Sequence, residues 1–395
     1  MRISRTLYFD HQATTPVDER VLQKMIPFFR EKFGNPHASD HRVGWETSRA
    51  VAEAAHSIAN LIGADADEIV FTSGATEANN LALLGLGRHE TAGARRKILV
   101  SAVEHKSVLE VARILEQKLG YTVEHLPVDK DGRVSVSDLE DALDDDVLAV
   151  SIMAVNNEIG TIQDINGLAE AARKAGALFH CDAAQAPVAM NLESLARDVD
   201  FLSLSAHKMY GPAGIGILYI RRDLQDRIEP LIYGGGQQNG LRSGTLPAAL
   251  CIGMGAAAEI LVAQANEKER SILRKRRDTF LEKLLGLPWP VRLNGPRGEN
   301  RHPGNVNVVF PGLSAHDILN ALQPGLAAST GSACTSGIPE PSHVLKAIGL
   351  TGDEAEASIR FSLGFGTTDS DVEDAVGLIG QALERLSKIP SAHFE

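Results

Sequence analysis

FLSLSAHKMYGP, residues 201–212, decides how this chain is read. It opens as an apolar strand and stops abruptly in Ser205, His207 and Lys208. Working outward, the same design recurs on both sides. EIVFTS (68–73), KILVSA (97–102), VLAVSIMAV (147–155), ALFHCDA (177–183) and GIGILYI (214–220) are further candidate strands. Between several of them lie amphipathic stretches such as SVLEVARILEQKLG (107–120) and LAEAARKAG (168–176), with apolar residues at helical spacing. Near-continuous apolar strands separated by helices imply an α/β fold whose mostly parallel sheet is covered on both faces.

At 395 residues the chain is too long for one simple core. The pattern changes after the polar helical stretch NEKERSILRKRRDTFLEKLLG (266–286). The expected division is therefore a large domain over 15–262 and a smaller α/β domain made of 1–14 with 263–395. The basic run Arg274–Arg277 is read as a solvated helix face, because Glu267, Glu269 and Asp278 flank it. A formal charge of −12 argues against a broad nucleic-acid or membrane surface. No apolar run approaches the roughly 20 residues that span a bilayer, and MRISRTLYFDHQATTP has no signal-like apolar core. Three sparse cysteines, Cys181, Cys251 and Cys334, form no disulfide framework and fit a reducing cytoplasm.

Ligands of open α/β sheets sit at the carboxyl ends of strands. There the chain carries TSGATEANN (72–80), VEHKS (103–107), NNEIG (156–160), DAAQ (182–185) and SAHKMYGP (205–212), which together look like one assembled site. In the first, Gly74 allows a tight turn, the following helix offers N–H groups to an anion, and Thr76 adds a hydroxyl. Lys208, partly desolvated at a strand end, suits Schiff-base chemistry. Asp182 supplies the carboxylate a pyridoxal ring needs to keep its nitrogen protonated. Gln185 can reach the ring's phenolic oxygen, and His105 can stack on the ring and serve as acid or base. His37 and His41 have the spacing of a metal pair but no evident third ligand, so metal binding there is not expected.

Taken with YFDHQATTP (8–16), FGNPHASDH (33–41), RSGTLP (242–247), STGSACTSG (329–337) and SIRFSLG (358–364), these motifs resemble the cysteine desulfurases of the NifS/IscS type. That group lies within the class V, fold type I pyridoxal-phosphate enzymes. The resemblance runs from the N-terminal motif nearly to the C-terminus. It implies a seven-stranded, mostly parallel sheet in the large domain and a homodimer. It further implies that Lys208 binds pyridoxal 5'-phosphate covalently, Asp182 pairs with the ring nitrogen, His105 stacks on the ring, and Gln185 contacts the phenolic oxygen. Ala75, Thr76, Ser205 and His207 would bind the phosphate, joined by Thr245 from the partner subunit. Asn157 and Arg360 would orient the substrate, Arg360 by a bidentate grip on its carboxylate.

Cys334 would then take the sulfur of L-cysteine as a persulfide, releasing alanine and passing the sulfur to an acceptor protein. Its setting, TGSACTSG, is small and flexible, whereas Cys181 and Cys251 sit in apolar runs and read as core. The departures are few. SAHK stands for the family's SGHK, and AASTGSACTS for SFSSGSACTS. The sequence stops at SKIPSAHFE, without the long tail by which housekeeping members dock the iron–sulfur scaffold. PHASDH and SGIPEPSHVL look closer to members that supply DNA phosphorothioation; iron–sulfur assembly and tRNA thiolation are the other destinations. The rival readings are a class V aminotransferase, a selenocysteine lyase and a non-catalytic sulfur-transfer scaffold.

Overall fold

The computed structural model describes residues 1–90, 93–264, 267–331 and 341–388. Its central sheet has seven strands: β1 (Ile69–Thr72), β2 (Lys97–Ser101), β3 (Thr122–Leu126), β4 (Val147–Ser151), β5 (Leu178–Asp182), β6 (Phe201–Ser205) and β7 (Gly216–Ile220). Their order across the sheet is β1-β7-β6-β5-β4-β2-β3. β7 runs antiparallel to both of its neighbours, and the other pairs are parallel. The expected α/β, mostly parallel sheet is therefore present, with helices over both faces.

The pleat explains how one sheet fills two cores. Leu99, Val150, Phe179, Cys181, Leu202, Leu204 and Ile217 point into one, against Val51 and Ile58. Their sequence neighbours Ile98, Val100, Phe201 and Leu218 point into the other, against Leu81 and Val111. A further core joins the N-terminal Leu7 and Phe9 to Phe280, Val306, Phe361 and Ile379. It is built on the antiparallel strands Asn305–Val309 and Ser358–Ser362.

Two sequence expectations change. β3 was not among the candidate strands, because as the sheet's edge it carries the polar sequence TVEHL with Thr122, Glu124 and His125 exposed. The run Arg274–Arg277 is not a uniformly solvated face either. Arg277 is buried and donates to the carbonyls of Gly298, Arg301 and His302. It closes the loop before Asn305–Val309 with its own helix, Glu267–Leu285. Among the described residues no single helix is long and apolar enough to cross a membrane.

Candidate active site

The carboxyl ends of the strands surround one cavity of about 400 Å³, a volume usual for a small-molecule site. Ala75, Thr76, His105, Asn157, Asp182, Gln185, Ser205, His207, Lys208 and Arg360 all line it. Register brings them together: β5 and β6 are parallel with Asp182 opposite Ser203, and Ser205 at the end of β6 faces Gly216.

One end of the cavity is built for an anion. Gly74, at φ 154°, makes the turn from β1 into the 15-residue helix Ala75–His89. No side chain caps that helix, so its first N–H groups and positive dipole end are left for an external acceptor. β7 must carry glycine beside the turn, since a Cβ on Gly216 would lie 2.7 Å from the Gly74 Cα. Glu77 secures the turn from within the helix, accepting Ser73 N–H at 2.7 Å and Arg242 Nε at 2.8 Å. Burial alone would raise the Glu77 carboxyl, but these hydrogen bonds outweigh it and hold the group below its ordinary range.

Deeper in, Asp182 is 4% exposed. Its oxygens accept Asn79 Nδ2 at 2.7 Å and Ala184 N–H at 3.0 Å. Asn79 also donates to Ser107 Oγ at 2.9 Å, so it is fixed from both sides. Glu104 lies behind the site with no exposure. Burial pushes its carboxyl well above the ordinary value, and the charge of Asp182 adds to that rise.

His105 caps the helix Lys106–Leu119, its Nδ1 accepting Ser107 N–H at 3.1 Å. That hydrogen bond assigns the proton of the neutral ring to Nε2. Lys208 Nζ donates to the carbonyls of Gln12 at 2.5 Å and Ala13 at 2.7 Å. Burial, with the neighbouring Lys208 charge, lowers His207 to about 4, so its ring is neutral beside that lysine.

Arg360, 3% exposed, stands on the strand Ser358–Ser362. It donates to Asn157 O at 2.8 Å, Asp10 Oδ1 at 2.7 Å and Ser329 Oγ at 2.8 Å. Both hydrogens of Nη2 therefore already have protein acceptors, a preorganised guanidinium held from three segments.

Thr245 is exposed and does not line the cavity of its own chain. Cys334 lies outside the described residues, but Gly331, three positions earlier, lines the cavity. His41 caps the helix Arg42–Ile62, with Nδ1 accepting Gly44 N–H at 3.1 Å. Among the described residues no group of three acidic, histidine or cysteine side chains is arranged to hold a metal. Sequence reasoning gave no role to Asp10, Gln12, Asn79 and Ser329, the groups that hold Arg360, Lys208 and Asp182. Asp10 and Gln12 fall within YFDHQATTP, so the motif itself was the available signal.

The residues present fit pyridoxal phosphate. A lysine, a buried carboxylate braced by two donors and an uncapped helix N-terminus meet around one cavity, as an aldehyde, a ring nitrogen and a phosphate require. Fold and site together define a pyridoxal-phosphate enzyme of the fold type I class. The chain belongs to the aminotransferase class-V family, whose model matches residues 7–374. It is 44% identical over 384 residues to the cysteine desulfurase IscS of Rickettsia akari (strain Hartford), covering 97% of this chain and 92% of that protein. Among solved structures it resembles a NifS-like protein, with a TM-score of 0.88, 36% identity, and coverage of 96% of this chain and 100% of the other. It also resembles SspA in complex with cysteine, with a TM-score of 0.79, 36% identity, and coverage of 91% and 99%.

Proposed function

We propose that the cavity converts L-cysteine to L-alanine and that Cys334 keeps the sulfur as a persulfide: a pyridoxal-phosphate cysteine desulfurase. The observation that carries this reading is the convergence of Lys208, Asp182, His105 and Arg360 on one cavity that Gly331 also enters. The IscS relative and the SspA structure with bound cysteine support it.

Held by Lys208, Asp182, Gln185, His105 and the phosphate-binding turn, pyridoxal phosphate supplies a sink for electrons released at the substrate's Cα. Arg360 and Asn157 hold the substrate carboxylate and so aim Cα at Lys208. The Lys208 amine, once free, removes the Cα proton. Cys334, as thiolate, attacks the substrate's sulfur. A sulfur–sulfur bond forms, the Cβ–S bond breaks, and its electron pair stays with carbon. The carbon takes a proton to become the methyl group of alanine, and the sulfur remains on Cys334. His105, with its proton on Nε2, moves the proton that the two sulfur atoms exchange.

Thr245 of the partner subunit completes the phosphate site in a homodimer. The large exposed hydrophobics Ile26, Phe29, Phe33, Trp45 and Tyr233 support such an interface. The separate core around Phe280 and Phe361 supports the division into residues 15–262 and 1–14 with 263–395. The sulfur leaves for an acceptor protein of iron–sulfur assembly, tRNA thiolation or DNA phosphorothioation, in the cytoplasm.

The test is product analysis without any keto acid. The cofactor-loaded protein should release alanine from L-cysteine, and Lys208→Ala should abolish it. A strict need for a keto-acid acceptor would make the protein an aminotransferase. Turnover confined to selenocysteine would make it a lyase for that substrate.

A further inference from the structure

A buried chain of polar groups ends on Lys208. Arg301 is 1% exposed, and no described carboxylate pairs with it. It donates to the carbonyls of Asn294 and Pro296 and, at 2.5 Å, to Oδ1 of Asn305. Asn305 Nδ2 donates in turn to Gln12 Oε1 at 2.5 Å. Gln12 N–H is held by Ser362 Oγ at 2.9 Å, and Gln12 O accepts both Lys208 Nζ and, at 2.9 Å, Gln185 Nε2.

The direction of this chain is not free. A guanidinium has donors only, so the Asn305 atom facing it must be the oxygen. The Asn305 nitrogen then faces Gln12, which must answer with its own oxygen. Among the described residues Gln12 Nε2 is left buried without a hydrogen-bond partner, a state avoided unless another contact compensates. Gln12 is thus held for its oxygen, and its backbone is pinned on both sides of the carbonyl that receives the lysine.

We propose that Gln12 and Asn305 are positioning residues for Lys208, with Arg301 setting the polarity of the relay. The Gln12 carbonyl receives the lysine amine whenever that amine is not bonded to the cofactor, and keeps it within reach of the substrate's Cα. This rests on the reading of Lys208 as the cofactor-bearing base.

The test uses Gln12→Met, which keeps side-chain length and the backbone carbonyl but removes the Oε1 acceptor. In full-length protein stripped of cofactor, acetic anhydride should acylate Lys208 roughly fivefold faster in Gln12→Met than in wild type, the scale of the one neutral hydrogen bond lost, from Asn305 Nδ2 to Gln12 Oε1. Peptide mass spectrometry reads the site. In cofactor-loaded protein, solvent deuterium should enter Cα of L-alanine roughly fivefold more slowly per bound cofactor. Gln12→Glu restores an acceptor for Asn305 and should recover both rates, and Asn305→Ala should reproduce both changes if Gln12→Met does not fold. Wild-type rates in the folded variants overturn the proposal. So do changes that only follow melting temperature and cofactor occupancy. Failure of the wild-type protein to exchange or form alanine would instead overturn the functional reading.

Discussion

If L-cysteine is supplied at pH 8, persulfide should form on Cys334 and not on the other two thiols. Cys181 and Cys251 are both wholly buried. Burial raises Cys251 to about 12 and drives Cys181 well above its ordinary value, with Asp182 and Glu104 adding to the rise at Cys181. At pH 8 a thiol near 8.5 is about one-quarter thiolate, whereas one at 12 is about one part in ten thousand, roughly two thousandfold less. The rarer thiolate is intrinsically more nucleophilic, by about fortyfold over that span. A deficit of roughly fiftyfold remains from ionisation alone, before the local opening a fully buried sulfur needs. The assay is brief incubation with L-cysteine, alkylation and peptide mass spectrometry. Occupancy on Cys181 and Cys251 should lie at least about fiftyfold below Cys334, and Cys334→Ser should leave no persulfide and form no alanine. Persulfide on either buried thiol of native protein, or normal turnover by Cys334→Ser, would refute the reasoning.

Two further outcomes are expected. Arg360→Lys keeps the charge but cannot serve Asn157, Asp10 and Ser329 with a planar fork; steady-state kinetics should show KM for cysteine raised roughly tenfold to a hundredfold, from the loss of one charged hydrogen bond. Acid should destabilise the cofactor-free fold. His11, His180 and His207 are lowered to about 4 and His302 to about 3, each mainly by burial. Between pH 6 and 4.5 the unfolded chain protonates these four rings while the native chain largely does not. Glu104, whose carboxyl burial pushes up, works in the opposite sense and offsets at most one of these protons. The net of about three protons gives a slope of about 4 kcal/mol per pH unit, with stability falling as pH falls; urea unfolding at pH 6 and pH 5 measures it, and an unchanged midpoint would contradict it.

What the sequence made legible follows from which constraint each residue answers. Strands buried on both faces show as apolar runs, so six of the seven could be located. β3, solvated at the edge, does not differ from a loop by composition. Arg277 misled for the opposite reason: its charge reads as solvent-facing, yet three carbonyls take the place of water.

The same distinction runs through the site. Asp182, Lys208 and His105 stand where β5 and β6 end and where a helix begins, positions that a pattern of apolar runs reveals. Cys181 and Asp182 are adjacent, and the strand's alternation alone assigns one to the core and the other to the cavity. The groups that hold the site in place answer to the tertiary fold instead. Asp10 meets Arg360 from 350 positions away, and Asn305 meets Gln12 from 293. No local period marks such pairs, because neither partner has a structural reason for its identity until the chain has closed. Their function is nonetheless specific. Arg360 without Asp10 would be a buried cation without a counter-charge, a loss of about 3–5 kcal/mol for a pair of this kind. The residues that line the cavity at the strand ends are thus readable from local pattern, and the residues that hold them in place become readable only in the folded chain.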